Sequence, residues 1–276
     1  MKATFLYLLT SIISMGTPGF ADTDAEQALE PRGTLLGIVL LKQNQSLNTE
    51  AMISDLTDKW QLSIDSQKVE NGAAVLQIEG YQIAIGEVAA PVPADDIQSV
   101  AKISYFWENA TEEASQHEGH VILSILNAGK NPILENRLFN KLAAAVLENS
   151  QSLGVYLGGR SLLLKKEFYL SNTENMSDTN LPTYNWIYCG LRRENGKQSV
   201  YTYGMTDFGK MEMEMIHSDR KLSDLTAMMY NIVHYVLYYD VSLKDGETIG
   251  MSDDQKLTIT ESKGEFLEGQ SLKIGY

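Results

Sequence analysis

The residues with the clearest potential for chemistry are two histidines in the run His117-Glu118-Gly119-His120. Imidazoles three residues apart can bind one metal ion. However, Gly119 interrupts the run just before a predicted strand, and the zinc-protease pattern His-Glu-x-x-His is not present. Two interpretations stay open: a metal site at His117 and His120, or one histidine that ends a helix and another that begins a strand.

A second candidate for metal binding is the row of Met211, Met213 and Met215, which alternates with Glu212 and Glu214. Thioethers can bind Cu(I) in an oxidising compartment. The same alternation is also typical of a strand whose apolar face is filled by methionines. The sequence alone does not separate these two interpretations.

Motifs for nucleophilic or phosphate chemistry are weak. The single cysteine, Cys189, lies in a predicted strand, where a thiol is expected to pack and not to react. Gly158-Gly159-Arg160-Ser161 follows a strand but lacks the lysine of a phosphate-binding loop, and Gly-x-Ser-x-Gly does not occur. The sequence therefore predicts no catalytic residue and no cofactor, and an enzyme would have to use residues that only the fold brings together.

An aromatic row on a predicted helix offers a surface for a partner protein. The helix begins near Ser223, and Tyr230, His234 and Tyr238 fall opposite its apolar stripe. Tyrosine contributes a large contact area at a low entropic cost, which favours a binding surface. The alternative is that another element covers this face. The apolar stripe consists of Leu225, Met228, Met229, Ile232, Val236 and Tyr239.

Composition limits the function classes. The 276 residues include 22 Lys and Arg against 36 Asp and Glu, a formal net charge of −14. This charge argues against nucleic acid as a partner and against binding to anionic membranes. With 43% hydrophobic residues the chain can form a core, and one cysteine excludes an intramolecular disulfide framework.

The chain begins with a pattern typical of a secretory signal peptide. A positive Lys2 precedes a short apolar run, and Gly19-Phe20-Ala21 forms a small-residue cleavage site. The predicted signal peptide spans residues 1–21, and a polar leader follows at 22–31. The apolar run is too short for a transmembrane helix. We therefore expect export to the periplasm or beyond, without stable membrane insertion after cleavage.

The predicted elements indicate an α+β fold in two lobes. Residues 32–170 show the order β-α-β-β-α-β with one further helix and strand, which is the order of a ferredoxin-like sandwich with an extension. Residues 171–182 are polar and are predicted to be a linker. Residues 183–276 form a smaller α+β lobe, in which Asn195-Gly196 predicts a hairpin turn.

From about Arg32 onwards the chain resembles the bacterial family called domain of unknown function 4261. It departs from the family pattern at Leu157, where tryptophan is expected. The family has no assigned catalytic residues, so the resemblance implies none here. The segments that carry the resemblance are Leu35-Leu36-Gly37-Ile38-Val39-Leu40, Trp107 followed by His117 to Leu123, Leu153-Gly154-Val155-Tyr156, Leu181-Pro182 with Trp186, Gly209 with Glu212, and Lys244-Asp245-Gly246-Glu247-Thr248-Ile249-Gly250.

The second lobe distantly resembles suppressor-of-fused domains, which occur in bacteria as immunity-type binding proteins. Taken with the missing catalytic motifs, this predicts a secreted, non-enzymatic protein that binds another protein. The alternative is a metal-binding or metal-dependent envelope protein that uses His117 and His120 or the three methionines.

Overall fold

The computed structural model describes residues 33–276 except positions 45, 71, 253 and 254. The predicted signal peptide and leader lie outside the described residues. Within them, thirteen strands and six helices form an α+β fold, which confirms the predicted fold class, and the strands lie in two sheets. No helix in this part of the chain is long and apolar enough to span a membrane.

The first sheet has seven antiparallel strands in the order β2-β3-β4-β5-β1-β6-β7. Strand β1 lies between β5 and β6, which are joined through helix α4, so these elements form a split βαβ arrangement. The elements are β1 (Leu35–Leu41), α1 (Thr49–Asp58), β2 (Ile64–Glu70), β3 (Ala73–Ile78), β4 (Tyr81–Val88), α2 (Ala94–Ala101), α3 (Ala110–Glu113), β5 (Gly119–Ile125), α4 (Pro132–Glu148), β6 (Ser152–Leu157), β7 (Leu162–Lys165) and α5 (Lys166–Glu174).

Strand β1 is buried on both faces of this sheet, which explains its continuous apolar sequence. Val39 and Leu41 pack in the core that includes α1 and α4, while Leu40 packs on the opposite face beneath α2. The sequence predicts helix starts at Asn48, which can cap a helix, and at Asn131, which is followed by a proline. Both starts are confirmed: the Asn48 side chain accepts a hydrogen bond from the Ala51 amide, and the Asn131 side chain accepts one from the Leu134 amide.

The helical spacing of Val100, Ile103 and Trp107 predicts a single helix over about residues 95–115, and this prediction is wrong. The chain instead forms α2, a turn segment, α3 and a 3₁₀ turn at 114–116. Trp107 lies in the interruption; its indole donates a hydrogen bond to Glu113, and its ring is buried against the sheet. The Ser104 hydroxyl donates a hydrogen bond to the Leu163 carbonyl, so a contact with a distant part of the chain stabilises the turn segment in place of a continuous helix.

The second sheet has six strands in the order β11-β12-β13-β10-β9-β8, in which β10 and β13 are parallel. Asn195 and Gly196 both have positive φ, 51° and 79°, as their predicted hairpin turn requires. Helix α6 packs against this sheet. The elements are β8 (Tyr188–Glu194), β9 (Lys197–Tyr203), β10 (Met213–Ser218), α6 (Leu222–Tyr238), β11 (Thr248–Ser252), β12 (Gln255–Lys263) and β13 (Gln270–Ile274).

Each sheet has its own hydrophobic core, and Phe106 packs against both. Its ring stacks on Phe168 at 4.5 Å and meets Tyr184 at 5.5 Å and Tyr230 at 6.4 Å between ring centroids. Ser171–Glu174, the first part of the predicted linker, lies in helix α5. The division into lobes at 171–182 stays a prediction.

Candidate functional site

His117 and His120 are both buried, and the backbone satisfies His117 completely. The Nε2 atom of His117 accepts a hydrogen bond from the Val92 amide at 2.8 Å, and its Nδ1 atom bonds the Ala114 carbonyl at 2.6 Å. His120 Nδ1 bonds the Ala90 carbonyl at 2.7 Å. Burial lowers the pKa of His120 because it disfavours the imidazolium. The pair therefore fits the structural interpretation.

No cluster of three or more His, Cys, Asp or Glu side chains suited to a metal ion occurs among the described residues. Met213 and Met215 are fully buried in the core of the second sheet, whereas Met211 precedes β10. The strand predicted over Met211–Met215 thus begins two residues later. Met213 and Met215 occupy the apolar face of a core strand, which agrees with the second of the two interpretations.

Glu214 and Glu212, which alternate with these methionines, are held by structural hydrogen bonds. Glu214 is buried and contacts Lys273 Nζ at 2.6 Å. Its oxygens also accept hydrogen bonds from the Ser271 hydroxyl and from the backbone amides of Glu265 and Phe266. Burial acts to raise the pKa of Glu214, but these donors outweigh it and hold the pKa below its ordinary value. The carboxylate therefore anchors the turn between β12 and β13.

The thiol of Cys189 is fully buried. Burial raises its pKa far above the ordinary range because a thiolate would lose its solvation. The described surroundings thus match a packing residue, as the sequence indicated, and not a nucleophile.

The predicted exposure of Tyr230 is wrong, because this side chain is only 3% exposed. Its hydroxyl donates a hydrogen bond to the Ile187 carbonyl at 3.1 Å and lies 3.3 Å from the Tyr105 hydroxyl. Burial raises the pKa of Tyr230. The segment between α2 and α3 and the start of β8 therefore cover this part of α6, so Tyr230 cannot present a surface to a partner.

The C-terminal end of α6 does expose aromatic side chains. Tyr235, Tyr238 and Tyr239 are 40%, 36% and 63% exposed, and we call these three residues the tyrosine surface. The rings of Tyr238 and Tyr239 meet edge to face at 4.7 Å, and those of Tyr235 and Tyr239 lie 5.3 Å apart. They form one continuous aromatic patch.

His234 supports this patch from the half-buried side of the helix. Its ring stacks on Tyr238 at 5.6 Å, and its Nε2 atom accepts a hydrogen bond from the Leu181 amide at 3.3 Å. Of the three predicted partner residues, His234 and Tyr238 thus lie together at the patch, whereas Tyr230 does not. Their role in binding a partner stays a prediction.

Sequence reasoning missed Tyr235 and placed Tyr239 in the apolar stripe. Helix α6 ends at Tyr238, and Tyr239 is the capping residue, so the phase of a continuous helix no longer applies there. The signal in the sequence that could have indicated this patch is the high density of tyrosine over residues 230–239. Which of these rings are exposed depends on the elements that cover the helix.

A groove of about 470 Å³ lies beside the tyrosine surface, between the start of α4 and the end of α6. Tyr238 belongs to both, and Leu134, 52% exposed, lies on the opposite wall. Arg137 contacts Asp178 at 2.9 Å and Lys210 contacts Asp240 at 2.7 Å. Both aspartates are highly exposed, so these ion pairs add little to stability. The groove can offer apolar contacts and cations to a partner.

The Gly158-Gly159-Arg160 segment forms a 3₁₀ turn whose arginine is buried. Arg160 Nε donates to Asp207 at 2.7 Å, and Nη1 donates to Asn136 at 2.7 Å. The guanidinium also lies over the Phe208 ring at 5.2 Å. These contacts join the first sheet's helix α4 to the turn between β9 and β10.

Comparison with known proteins identifies a family for the C-terminal part of the chain. Residues 201–275 match the model described as a domain of unknown function, DUF4261. No curated protein and no solved structure matches the chain. The matched residues include α6, the tyrosine surface and strands β10–β13. The predicted resemblance to the domain of unknown function 4261 family is therefore confirmed over residues 201–275, where the family model matches.

Proposed function

We propose that this chain is an exported, non-enzymatic binding protein that recognises another protein through the tyrosine surface and the adjoining groove. The observation that carries this proposal is the patch of three neighbouring tyrosines at the end of α6, which are 36–63% exposed. Tyrosine rings lose little entropy on binding and are enriched among the residues that dominate interface energies.

The groove extends the proposed interface beyond the aromatic patch. Leu134 offers an exposed aliphatic side chain across the groove from Tyr238. An apolar centre flanked by polar groups is the usual anatomy of a protein interface. A partner side chain inserted between these two residues would lose contact with water on both sides.

Charge favours a partner with acidic groups at the rim. Lys130, Arg137 and Lys210 line the groove together with Asp178 and Asp240, so its lining has one excess positive charge although the chain has a net charge of −14. Because Asp178 and Asp240 are solvent-exposed, partner carboxylates can replace them at little cost. Complementary rim charges mainly raise the association rate.

Two further parts of the proposal rest on sequence. Export is supported by the signal-peptide pattern of Met1 to Ala21. An immunity-type role, in which the protein binds and blocks a partner, is supported by the distant resemblance of residues 183–276 to suppressor-of-fused domains.

A site-specific photo-crosslinker placed at Tyr239 in the producing cell would test the interface. A matched control carries the crosslinker at Val69, an exposed residue on the edge strand β2 of the other sheet. We expect a discrete protein adduct at position 239 that disappears when Tyr235 and Tyr238 are changed to serine. Identical adduct patterns at both positions, or an adduct that survives the two serine changes, would contradict the proposal.

A further inference from the structure

A second cavity, distinct from the groove, lies on the face of the second sheet that carries Tyr201 and Tyr203 of β9. It has a volume of about 470 Å³, which is within the usual range for small-ligand pockets. From its aromatic walls and its charge we infer that it binds an organic cation of the alkylammonium class. The residues that determine this chemistry are Tyr188, Tyr201, Tyr203, Phe266, Glu212 and Glu268.

The aromatic wall is held in place by backbone geometry. Tyr201 pairs with Gly190 across β9 and β8, and a Cβ atom at Gly190 would lie 2.0 Å from the Tyr201 ring. The ring therefore lies across the glycine. Its neighbour Phe266 stacks on it with centroids 5.7 Å apart, and the Phe266 amide donates to Glu214 at 2.8 Å. The wall is therefore preorganised, which limits the ordering cost of binding.

The cavity lining carries negative charge and aromatic faces. Glu212 and Glu268 are its ionisable acids, and no lysine, arginine or histidine lies among the described lining residues. Outside the lining, the Arg192 guanidinium lies over the Tyr201 ring at 5.9 Å. Aromatic faces attract cations through their quadrupole, and the attraction grows when water is excluded.

Hydrogen bonds hold the carboxyl group of Glu212 in place at the base of the cavity. One oxygen accepts hydrogen bonds from the amides of Gly204 at 2.7 Å and Met205 at 2.9 Å, and the other accepts from the Thr202 hydroxyl at 2.6 Å. Burial raises its pKa because the carboxylate is poorly solvated, although these donors oppose the shift. A cation in the cavity would favour the charged form of this carboxyl group, which burial disfavours.

The wall chemistry favours an alkylated ammonium over a metal ion. The described residues contain no group of three or more side chains suited to a metal. Tyrosine and phenylalanine faces, together with the exposed Ile103 at the cavity edge, complement methyl groups around a nitrogen. Such rings surround quaternary ammonium groups in other proteins.

Calorimetric titration of the full chain with choline would test the inference. The control ligand is 3,3-dimethylbutan-1-ol, which has the same shape but no charge. We expect saturable choline binding and at least about tenfold weaker binding of the alcohol. Equal binding of the two, or no saturable choline binding, would overturn the inference.

Variants locate the site, and further ligands identify the source of the ammonium group. Tyr203→Leu and Glu268→Gln change exposed residues and should each weaken choline binding about fivefold or more, whereas Tyr235→Leu on α6 should not. Unchanged binding in both cavity variants would overturn the inference.

Tighter binding of a trimethyllysine peptide than of choline would assign a methylated protein as ligand; tighter binding of phosphatidylcholine vesicles would assign a lipid headgroup.

Discussion

Arg160 Nε and Asp207 Oδ2 lie 2.7 Å apart, and both side chains are almost fully removed from solvent. Arg160 follows β6 of the first sheet, while Asp207 lies in the turn between β9 and β10 of the second. The guanidinium also donates to Asn136 on α4 and to the Trp186 carbonyl. A buried ion pair with these additional hydrogen bonds connects elements from both sheets.

Breaking this pair should destabilise the protein strongly. Asp207→Asn leaves the Arg160 charge buried with less compensation, and we expect the free energy of unfolding to fall by about 3–5 kcal/mol. Urea denaturation monitored by circular dichroism gives the measurement. As a control, Asp219→Asn removes the exposed partner of Lys197 and should cost less than about 1 kcal/mol. Equal losses in the two variants would contradict a structural role for the buried pair.

Gly246 should be intolerant of side chains because of its backbone angle alone. Its φ is +77°, and an added Cβ would meet no atom within 4 Å. Gly246→Val should therefore cost about 1–3 kcal/mol through strain, while Gly246→Asn should cost less because asparagine tolerates this conformation.

Thermal unfolding compares these variants, with about 2–4 °C expected for each kcal/mol. Gly33→Val is the matched control, since Gly33 has open space around it and no positive φ. A melting temperature for Gly246→Val equal to that of the control would show that the turn accommodates valine.

Local structure was the part of the fold that could be predicted from the sequence. Asn48 and Asn131 begin helices because the side-chain oxygen of each accepts a hydrogen bond from a backbone amide three residues later, in the first turn of the helix. Asn195-Gly196 forms its turn for a similarly local reason, the positive φ that both residues adopt. These features depend on neighbours within four residues, so no knowledge of the fold was needed.

The parts that were not predicted depend on contacts between residues distant in the chain. The helix expected over 95–115 is interrupted because Ser104 bonds Leu163, 59 residues away. In the sequence Arg160 belongs only to a poor match to a phosphate-binding loop, because its partner Asp207 is 47 residues away. The cavity beside Tyr201 and Tyr203 could not be predicted for the same reason. Its aromatic walls depend on the register between β8 and β9 and on the position of the turn at Phe266.

His120 should make stability depend on pH. Burial lowers its pKa below the ordinary value of 6.5, so the folded protein takes up a proton less readily than the unfolded chain. Neutral His120 makes its full contribution to the free energy of unfolding above about pH 6.5. This contribution is lost as the pH falls towards the pKa of His120 in the folded protein.

An NMR titration of the His120 ring should therefore show a midpoint below 6.5. In addition, the loss of unfolding free energy between about pH 7.5 and about pH 5 should be smaller in His120→Gln than in the unchanged protein. A midpoint above 6.5 would mean that the imidazolium is stabilised in the folded protein, in conflict with its burial.

Substitutions on α6 should separate its buried tyrosine from its exposed ones. Tyr230→Ala removes a buried ring and its hydrogen bond to Ile187, so we expect a loss of about 3 kcal/mol or more. Tyr230→Phe keeps the ring but leaves the Ile187 carbonyl without this donor, and should cost about 1–3 kcal/mol. Tyr239→Ala, at the most exposed position of the tyrosine surface, should stay within about 0.5 kcal/mol.

The three variants can be compared by equilibrium denaturation in one buffer. The ranking matters more than any single value, because the three variants differ mainly in how much buried surface and hydrogen bonding each one removes. If Tyr239→Ala were as destabilising as Tyr230→Ala, the end of α6 would be covered in solution. The tyrosine surface would then be part of the core and could not bind a partner, whereas the expected ranking leaves its rings free to be buried by one.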